Sequence, residues 1–191
     1  DFKRQLFLGA LGTQMLNAAD FHSNDRNFGI HYLLPRHKSW VLSRCAIDVL
    51  RMPTAYEKFS VSTWVENAMR YFTNRNFEVI SEDDGPVLAY GKSIWALIDT
   101  ETRQPTDIFA VRDGDISNYI EADKKTPIKN LSRVKISDKA VKTSEIKTTY
   151  YDTDYNCHIN SIKYIEHVLN LFPIEHYKTH NVKHIDVAYV A

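Results

Sequence analysis

The sequence contains one dense cluster of side chains suited to acid–base chemistry, near its carboxyl end. Asp154, Asn156 and His158 follow one another at intervals of two residues, and in an extended segment this spacing turns all three side chains to the same side. A carboxylate or an amide beside an imidazole fixes its tautomer, and the imidazole then transfers a proton. The spacing therefore predicts a row of three catalytic side chains.

A helix is predicted directly after this cluster, over residues 161–172. Asn160 is suited to cap it, and backbone N–H groups of its first turn have no partner inside the helix. Such a donor is typically worth about 2.7–4 kcal/mol to an oxyanion in an acyl-transfer transition state. The cluster and the helix together predict chemistry at a carbonyl carbon. An ordinary capping loop contains the same residue types and remains the alternative interpretation.

The elements that must position the cluster follow from hydrophobic periodicity. Apolar residues three and four apart predict one amphipathic helix, and alternating segments predict an antiparallel meander with a hairpin turn at 83–85. After a polar linker the order begins again with a strand, a helix and a strand. The predicted elements are a helix over 12–23, strands over 40–50, 59–69, 72–80 and 87–99, then a strand over 144–151, the helix over 161–172 and a strand over 182–190.

This order predicts an α+β fold in which each half is a helix on an antiparallel sheet. We expect an amino-terminal domain over 1–121, a linker over 122–142 and the start of a second domain over 143–191. One helix and two strands cannot cover an apolar helical face as a full sheet does, so we expect a truncated second half whose further strands follow Ala191.

Composition excludes several functional classes. The chain has 191 residues, with 24 Lys and Arg against 24 Asp and Glu, so its net charge of zero does not favour nucleic-acid or membrane-surface binding. Cys45 and Cys157 fit neither a disulfide scaffold nor a zinc finger. The apolar runs are far shorter than the roughly 18 residues of a membrane span. We expect a cytoplasmic protein.

The cluster and its surroundings resemble the acyl-carrier-protein thioesterases of bacteria and plant plastids. Asp154, Asn156, His158, Asn160, Lys163 and Tyr164 fit that family's second-domain motif position by position. Earlier segments are similar to its first-domain strands, namely Trp40, Val41 and Arg44, then Thr63, Trp64 and Val65, residues 75–77, and Ser93, Trp95, Thr102 and Arg103.

The resemblance implies a tandem hot-dog fold, each half a long helix wrapped by an antiparallel sheet, with the first domain shaping the acyl pocket. It implies hydrolysis of a fatty acyl thioester on acyl carrier protein, with no cofactor and no metal. The implied partner is acyl carrier protein bearing a fatty acyl chain, and a homodimer is left open. A bacterial cytoplasm is the implied location.

The family's further catalytic residue, Glu or Cys, is expected just beyond Ala191. Cys157 lies between Asn156 and His158, so in an extended segment it points to the opposite side. We therefore predict that Cys157 packs in the core, and the family motif commonly has Gln at this position.

Other side chains carry weaker signals. His176, His180 and His184 are four residues apart, but Pro173 interrupts the helix and no carboxylate completes a metal site. Residues 121–147 hold eight basic and four acidic side chains, which indicates either a surface for an acidic carrier protein or a solvated linker. Three tryptophans either surround the acyl chain or belong to the ordinary core, namely Trp40, Trp64 and Trp95.

Two rival functions remain open. An acyl-coenzyme A thioesterase shares the fold and the chemistry and differs in what surrounds the leaving thiol. A non-catalytic acyl-binding hot-dog module lacks the further Glu or Cys.

Overall fold

A long amino-terminal helix, α1, spans Leu8–Asp25. Leu11, Met15 and Ala19 follow one another at intervals of four residues and therefore lie on one side of the helix. All three are buried against the sheet. The helix predicted over 12–23 is confirmed, with an earlier start. A short helix, α2, follows at Ile30–Leu33.

The computed structural model describes residues 1–83, 85–129, 131, 134, 137–142 and 144–189. Five strands form one antiparallel sheet in the order β2-β3-β4-β1-β5. The strands are β1 (Lys38–Val49), β2 (Phe59–Ala68), β3 (Phe72–Ser81), β4 (Val87–Asp99) and β5 (His184–Ala188).

These bounds confirm the four strands predicted in the first half and a strand within 182–190. In the predicted hairpin turn between β3 and β4, Gly85 has a φ of 76°, which glycine adopts without steric strain, while Asp84 lies outside the described residues.

The helix α1 packs closely on one face of the sheet, here called the inner face. The hydrophobic core between α1 and this face includes Phe77 and Val79 of β3, which are 1% and 0% exposed. A side chain at Gly91 of β4 would meet Phe77 at 3.0 Å and Met15 at 3.1 Å. Only glycine therefore lets the helix and the sheet approach this closely here. The confirmed α+β architecture is the hot-dog arrangement of a long helix on an antiparallel sheet.

The strand predicted over 144–151 is wrong. The described residues of this segment form no strand, and a 3₁₀ turn spans Tyr150–Asp152. Its β-branched residues favour a strand, but a strand also needs a sheet edge to pair with. The edge at β1 is taken by β5, which pairs Arg44 with Ala188 and Asp48 with His184.

The first part of the linker, residues 124–129 and 131, packs on the face of the sheet opposite α1, here called the outer face. Ile128 and Leu131 are buried against Ala46 of β1, and the indole N–H of Trp64 donates to the carbonyl of Lys124 at 2.7 Å. A fully solvated linker is therefore wrong for this stretch.

The second half contributes helix α3, Ser161–Leu169, and the short helix α4, Ile174–Thr179. The helix predicted over 161–172 is confirmed and ends three residues early. A side chain at Gly12 of α1 would come within 2.8 Å of Ile162, so glycine lets α3 pack directly against α1. In the described part of the chain, no helix is long and apolar enough to cross a bilayer.

Candidate active site

The chain turns back on itself between residues 153 and 159. Thr153 and Ile159 form an antiparallel bridge, the N–H of Asp154 donates to the carbonyl of His158 at 2.8 Å, and the N–H of Cys157 donates to the carbonyl of Asp154 at 3.0 Å. The extended segment predicted here is wrong. We call residues 153–159 the motif loop.

One carboxylate oxygen explains why the loop closes. Asp154 Oδ1 accepts the N–H of Asn156 at 2.8 Å and the N–H of His158 at 3.1 Å. An Asp side chain that accepts from the backbone two residues on is a known turn-forming device. The carboxylate of Asp154 thus bonds to the backbone and shapes the loop. That it also orients the imidazole of His158 stays a prediction.

The loop nevertheless brings the three predicted site residues to one cavity. Asp154, Asn156 and His158 all line it. Asp154 and Asn156 are half-buried and His158 is exposed, so the imidazole is accessible to a substrate and to water. The turn, not the alternation of an extended chain, gathers these side chains.

Cys157 does not belong to the core. It has a φ of 57° and its side chain is exposed. A left-handed conformation at this position completes the reversal of the loop and directs the thiol to solvent. The predicted core packing of Cys157 is wrong because it assumed an extended backbone.

The predicted cap of α3 is confirmed. Asn160 Oδ1 accepts the N–H of Ile162 at 2.9 Å, and the carbonyl of Asn160 accepts the N–H of Lys163 at 2.9 Å. Within the described residues, the N–H of Ser161 has no acceptor, and Ser161 lines the cavity. This N–H, at the positive end of α3, is the first-turn donor best placed to stabilise an oxyanion.

Tyr189 supports the start of α3 from the end of β5. Its hydroxyl donates to the carbonyl of Ser161 at 2.9 Å, and its N–H donates to the carbonyl of Ser43 on β1. Burial, followed by the influence of Cys45, raises the pKa of Tyr189, so the phenol remains a neutral donor. Sequence reasoning missed Tyr189, because no local signal connects it to a residue 28 positions earlier.

Asp152 anchors the motif loop to the body of α3. Its Oδ2 accepts the N–H of Thr149 at 2.7 Å and the hydroxyl of Thr149 at 2.9 Å, and its Oδ1 lies 3.1 Å from Nε2 of His167. The bonds from Thr149, and then His167, lower the pKa of Asp152. The carbonyl of Asp152 also accepts the N–H of Asn160 at 2.8 Å.

The cavity has a volume of about 470 Å³ and extends from the motif loop between α1 and the inner face of the sheet. Trp40 and Trp95 line it, and both also pack against the hydrophobic core, so a role in surrounding an acyl chain stays a prediction. Trp64 does not line the cavity, because it points to the outer face and stacks with Lys124. Much of the wall is apolar, including Leu16, Leu33, Leu42, Val65 and Ile116.

Part of the cavity wall is charged. Burial and then Arg26 lower the pKa of Arg75 to about 10, so its guanidinium is still protonated at neutral pH. Burial, then Arg75 and Arg26, lower the pKa of His22 to about 3. His22 is therefore neutral at physiological pH, and the positively charged side chains of the wall are Arg26, Lys38 and Arg75.

The carboxyl-terminal histidines do not converge. The rings of His176 and His180 stack at 4.3 Å, while His184 pairs with Asp48 of β1. Over the described ranges, no group of three or more His, Cys, Asp or Glu side chains is arranged to hold a metal ion.

Comparison with known proteins assigns this architecture to a family. Residues 1–111 match the acyl-ACP thioesterase N-terminal domain, and residues 135–191 match the C-terminal domain of the same family. A crystal structure of an acyl-ACP thioesterase from Bacteroides thetaiotaomicron superposes with a TM-score of 0.89 at 46% identity and covers 100% of this chain and 76% of that one.

Plant proteins are similar as well. The 12:0-ACP thioesterase from Umbellularia californica superposes with a TM-score of 0.79 at 25% identity, over 98% of this chain and 76% of that one. A chloroplastic acyl-[acyl-carrier-protein] hydrolase from Cuphea viscosissima is 26% identical over 156 residues, which are 78% of this chain but 37% of that relative. The chain thus spans well under half the length of this relative.

A long helix on an antiparallel sheet, with a polar loop and a helix amino terminus at one cavity, defines a hot-dog protein with a site suited to carbonyl chemistry. The chain belongs to the acyl-ACP thioesterase family. The roles of Asp154, Asn156 and His158 remain predictions.

The anchoring role of Asp152 predicts a pH-dependent stability. Its pKa is lowered in the folded protein, so its stabilising effect is complete above the unfolded pKa of about 3.9 and is lost as the pH falls through the folded value. We expect Asp152→Asn to lower the Tm clearly at neutral pH, and the difference from the wild type to shrink at pH values below about 4.

Thermal unfolding followed by circular dichroism from neutral to acid pH measures this difference. Asp123→Asn, at an exposed position in the linker, is the matched control and should leave the Tm unchanged throughout. A wild-type advantage over Asp152→Asn that persists unchanged at the lowest pH would show that the charge of Asp152 is not what holds the loop.

Proposed function

We propose that the protein hydrolyses the thioester of a fatty acyl chain carried on acyl carrier protein and releases the free fatty acid. The observation that carries the proposal is a single cavity. Its wall combines the motif loop, with Asn156 and His158, the free N–H of Ser161 and an apolar lining. The names of the relatives support the same activity, since each acts on an acyl carrier protein thioester or is an acyl-ACP thioesterase.

The geometry supports a direct hydrolysis. The imidazole of His158 takes a proton from water as the water oxygen attacks the thioester carbonyl carbon. The carbonyl oxygen becomes an oxyanion and accepts a hydrogen bond from the N–H of Ser161. As the tetrahedral species collapses, the carbon–sulfur bond breaks, and the proton returns from His158 to the leaving thiolate. Asn156 positions the water or the substrate carbonyl, and Asp154 acts by holding the loop.

If Asp154 acts by holding the loop, Asp154→Ala and Asp154→Asn should differ in activity. Asp154→Ala removes the acceptor of two backbone N–H groups, so we expect kcat on an acyl-ACP to fall about 10²-fold or more, because displaced catalytic groups lose this much. Asp154→Asn retains a carbonyl oxygen that accepts the same two bonds, so most of the activity should remain.

Steady-state kinetics with dodecanoyl-ACP, together with circular dichroism to confirm folding, measures both variants. Equal and severe losses in Asp154→Ala and Asp154→Asn would assign the negative charge itself to the chemistry. Near-native kcat in Asp154→Ala would contradict the proposed site.

We propose that an acidic surface of the carrier protein docks on basic side chains of residues 121–147. Lys124 stacks on Trp64 and Lys142 pairs with Glu145. Lys129, Lys139 and Lys147 are exposed and have no acidic partner within the described residues. Exposed unpaired cations steer an oppositely charged partner and affect its association more than the chemistry that follows.

Reversal of these charges should weaken the binding of substrates attached to acyl carrier protein and leave the binding of coenzyme A substrates unchanged. In Lys139→Glu/Lys147→Glu, we expect KM for dodecanoyl-ACP to rise about tenfold, and less at high salt. The KM for dodecanoyl-coenzyme A, and kcat for both substrates, should not change. Lys58→Glu/Lys178→Glu, with two lysines exposed elsewhere, is the control. An equal rise in KM for both thioesters would contradict the docking surface, and a clear preference for the coenzyme A substrate in the wild type would favour an acyl-coenzyme A thioesterase.

A further inference from the structure

The inner face of the sheet changes character along β3. Phe77 and Val79 are apolar and pack under α1, whereas Thr73 and Arg75, which continue the same face by strand alternation, are polar. All four are buried. Arg75 pairs with Ser93 of β4 in the strand register. The core between helix and sheet therefore contains a polar section, and Arg75 and Thr73 line the cavity there.

Arg75 is a buried cation whose donors are largely unused. The side chain is 6% exposed. Its guanidinium donates to the hydroxyls of Thr63 and Ser23, each at 3.1 Å. A guanidinium has five N–H donors and accepts no hydrogen bond, so three donors have no acceptor within the described residues, and no carboxylate there forms an ion pair with it.

Burial of a cation without a carboxylate is unfavourable for folding. The guanidinium is nevertheless protonated at neutral pH, since its pKa stays at about 10. His22, beside Ser23 on α1, is neutral and also lines the cavity, and its Nδ1 is buried with no hydrogen-bond partner in the described part of the chain. The donors of Arg75 and the Nδ1 of His22 thus remain available for hydrogen bonds in a cavity whose other walls are mostly apolar.

Arg75 lies away from the motif loop. Tyr189 connects the start of α3 to Ser43 of β1, so the loop is held at the β1 edge of the first-half sheet. In the strand order β3-β4-β1, Arg75 is two strands from β1, which is roughly 10 Å across the sheet. An acyl chain whose thioester lies at the motif loop would meet Arg75 at carbons remote from the thioester.

We infer that the cavity takes fatty acyl chains that carry an oxygen substituent, a hydroxyl or keto group, at a position remote from the thioester, with that oxygen accepting hydrogen bonds from Arg75. The inference rests on the proposed function for the orientation of the chain. A plain hydrocarbon chain leaves the donors of Arg75 unpaired and displaces the water that would otherwise solvate them, whereas an oxygenated chain satisfies them.

The test compares acyl-ACP substrates that differ by one oxygen, using the full-length protein. The substrates are dodecanoyl-ACP and the same thioester with a hydroxyl at the midpoint of the chain or on its terminal carbon. For the better of the two hydroxylated chains, the wild type should show a kcat/KM at least about tenfold above that of dodecanoyl-ACP, the effect of one hydrogen bond to a charged group. In Arg75→Met this ratio should fall to about one.

Two further variants make the result specific. Arg70→Met removes an arginine that pairs with Asp107 on the surface, and its ratio should equal that of the wild type. Arg75→Lys keeps the charge with fewer donors and should retain part of the preference, and it replaces Arg75→Met if that variant does not fold. Equal kcat/KM for plain and hydroxylated chains in the wild type, or an unchanged preference in Arg75→Met, would overturn the inference.

Failure of the proposed function gives a different pattern. If the wild type hydrolyses none of these substrates, the hydrolase proposal fails. Calorimetric titration with dodecanoic acid and its hydroxylated forms then tests, without any hydrolysis, whether Arg75 binds the oxygen of the chain. Tighter binding of a hydroxylated acid that is lost in Arg75→Met, or reduced in Arg75→Lys, supports the inference. Equal binding of all the acids overturns it.

Discussion

The candidate site depends on one oxygen atom, Oδ1 of Asp154. It accepts hydrogen bonds from two backbone N–H groups and so closes a loop that brings Asn156 and His158 to the cavity. A short polar loop on a protein surface has little conformational stability of its own, because fixing each residue costs about 1–2 kcal/mol of backbone entropy. A carboxylate that bonds within the loop offsets part of this, and the remaining order must come from the elements around it.

Those elements hold the loop at both ends. Asp152 fixes its beginning to Thr149 and to His167 of α3, and Asn160 fixes its end as the cap of the same helix. The helix in turn is held by buried Ile162 against α1 and by the Tyr189 hydroxyl. Two halves of the chain therefore meet at the site: the first provides the sheet and α1 around the cavity, and the second provides the loop and the donor at Ser161.

The sequence predicted correctly the helices and strands that depend on local periodicity. It did not predict the features that depend on contacts between residues distant in the chain. Helix α1 and strands β1 to β4 were predicted because their apolar residues repeat with a helical or strand period. The Asn160 cap was predicted from residue type alone. The strand over 144–151 was wrong. The β1 edge pairs with β5, which is distant in sequence, and the bonds from Thr149 to Asp152 turn the end of the segment into a 3₁₀ helix. The row of extended side chains was wrong because an Asp carboxylate bonded to the backbone instead, which also turned Cys157 to solvent. Tyr189 and Arg75 gave no local signal, since their roles arise from strand pairing and burial.

The most direct test of the central claim is the turnover of His158→Ala. Full-length wild type, His158→Ala and His180→Ala, an exposed histidine outside the cavity, are compared by kcat on dodecanoyl-ACP, with the Tm of each variant as the check on folding. If His158 transfers the proton at the motif loop, kcat of His158→Ala falls about 10²–10⁴-fold, while its Tm and the kcat of His180→Ala remain those of the wild type. A His158→Ala variant with near-native kcat would contradict the account.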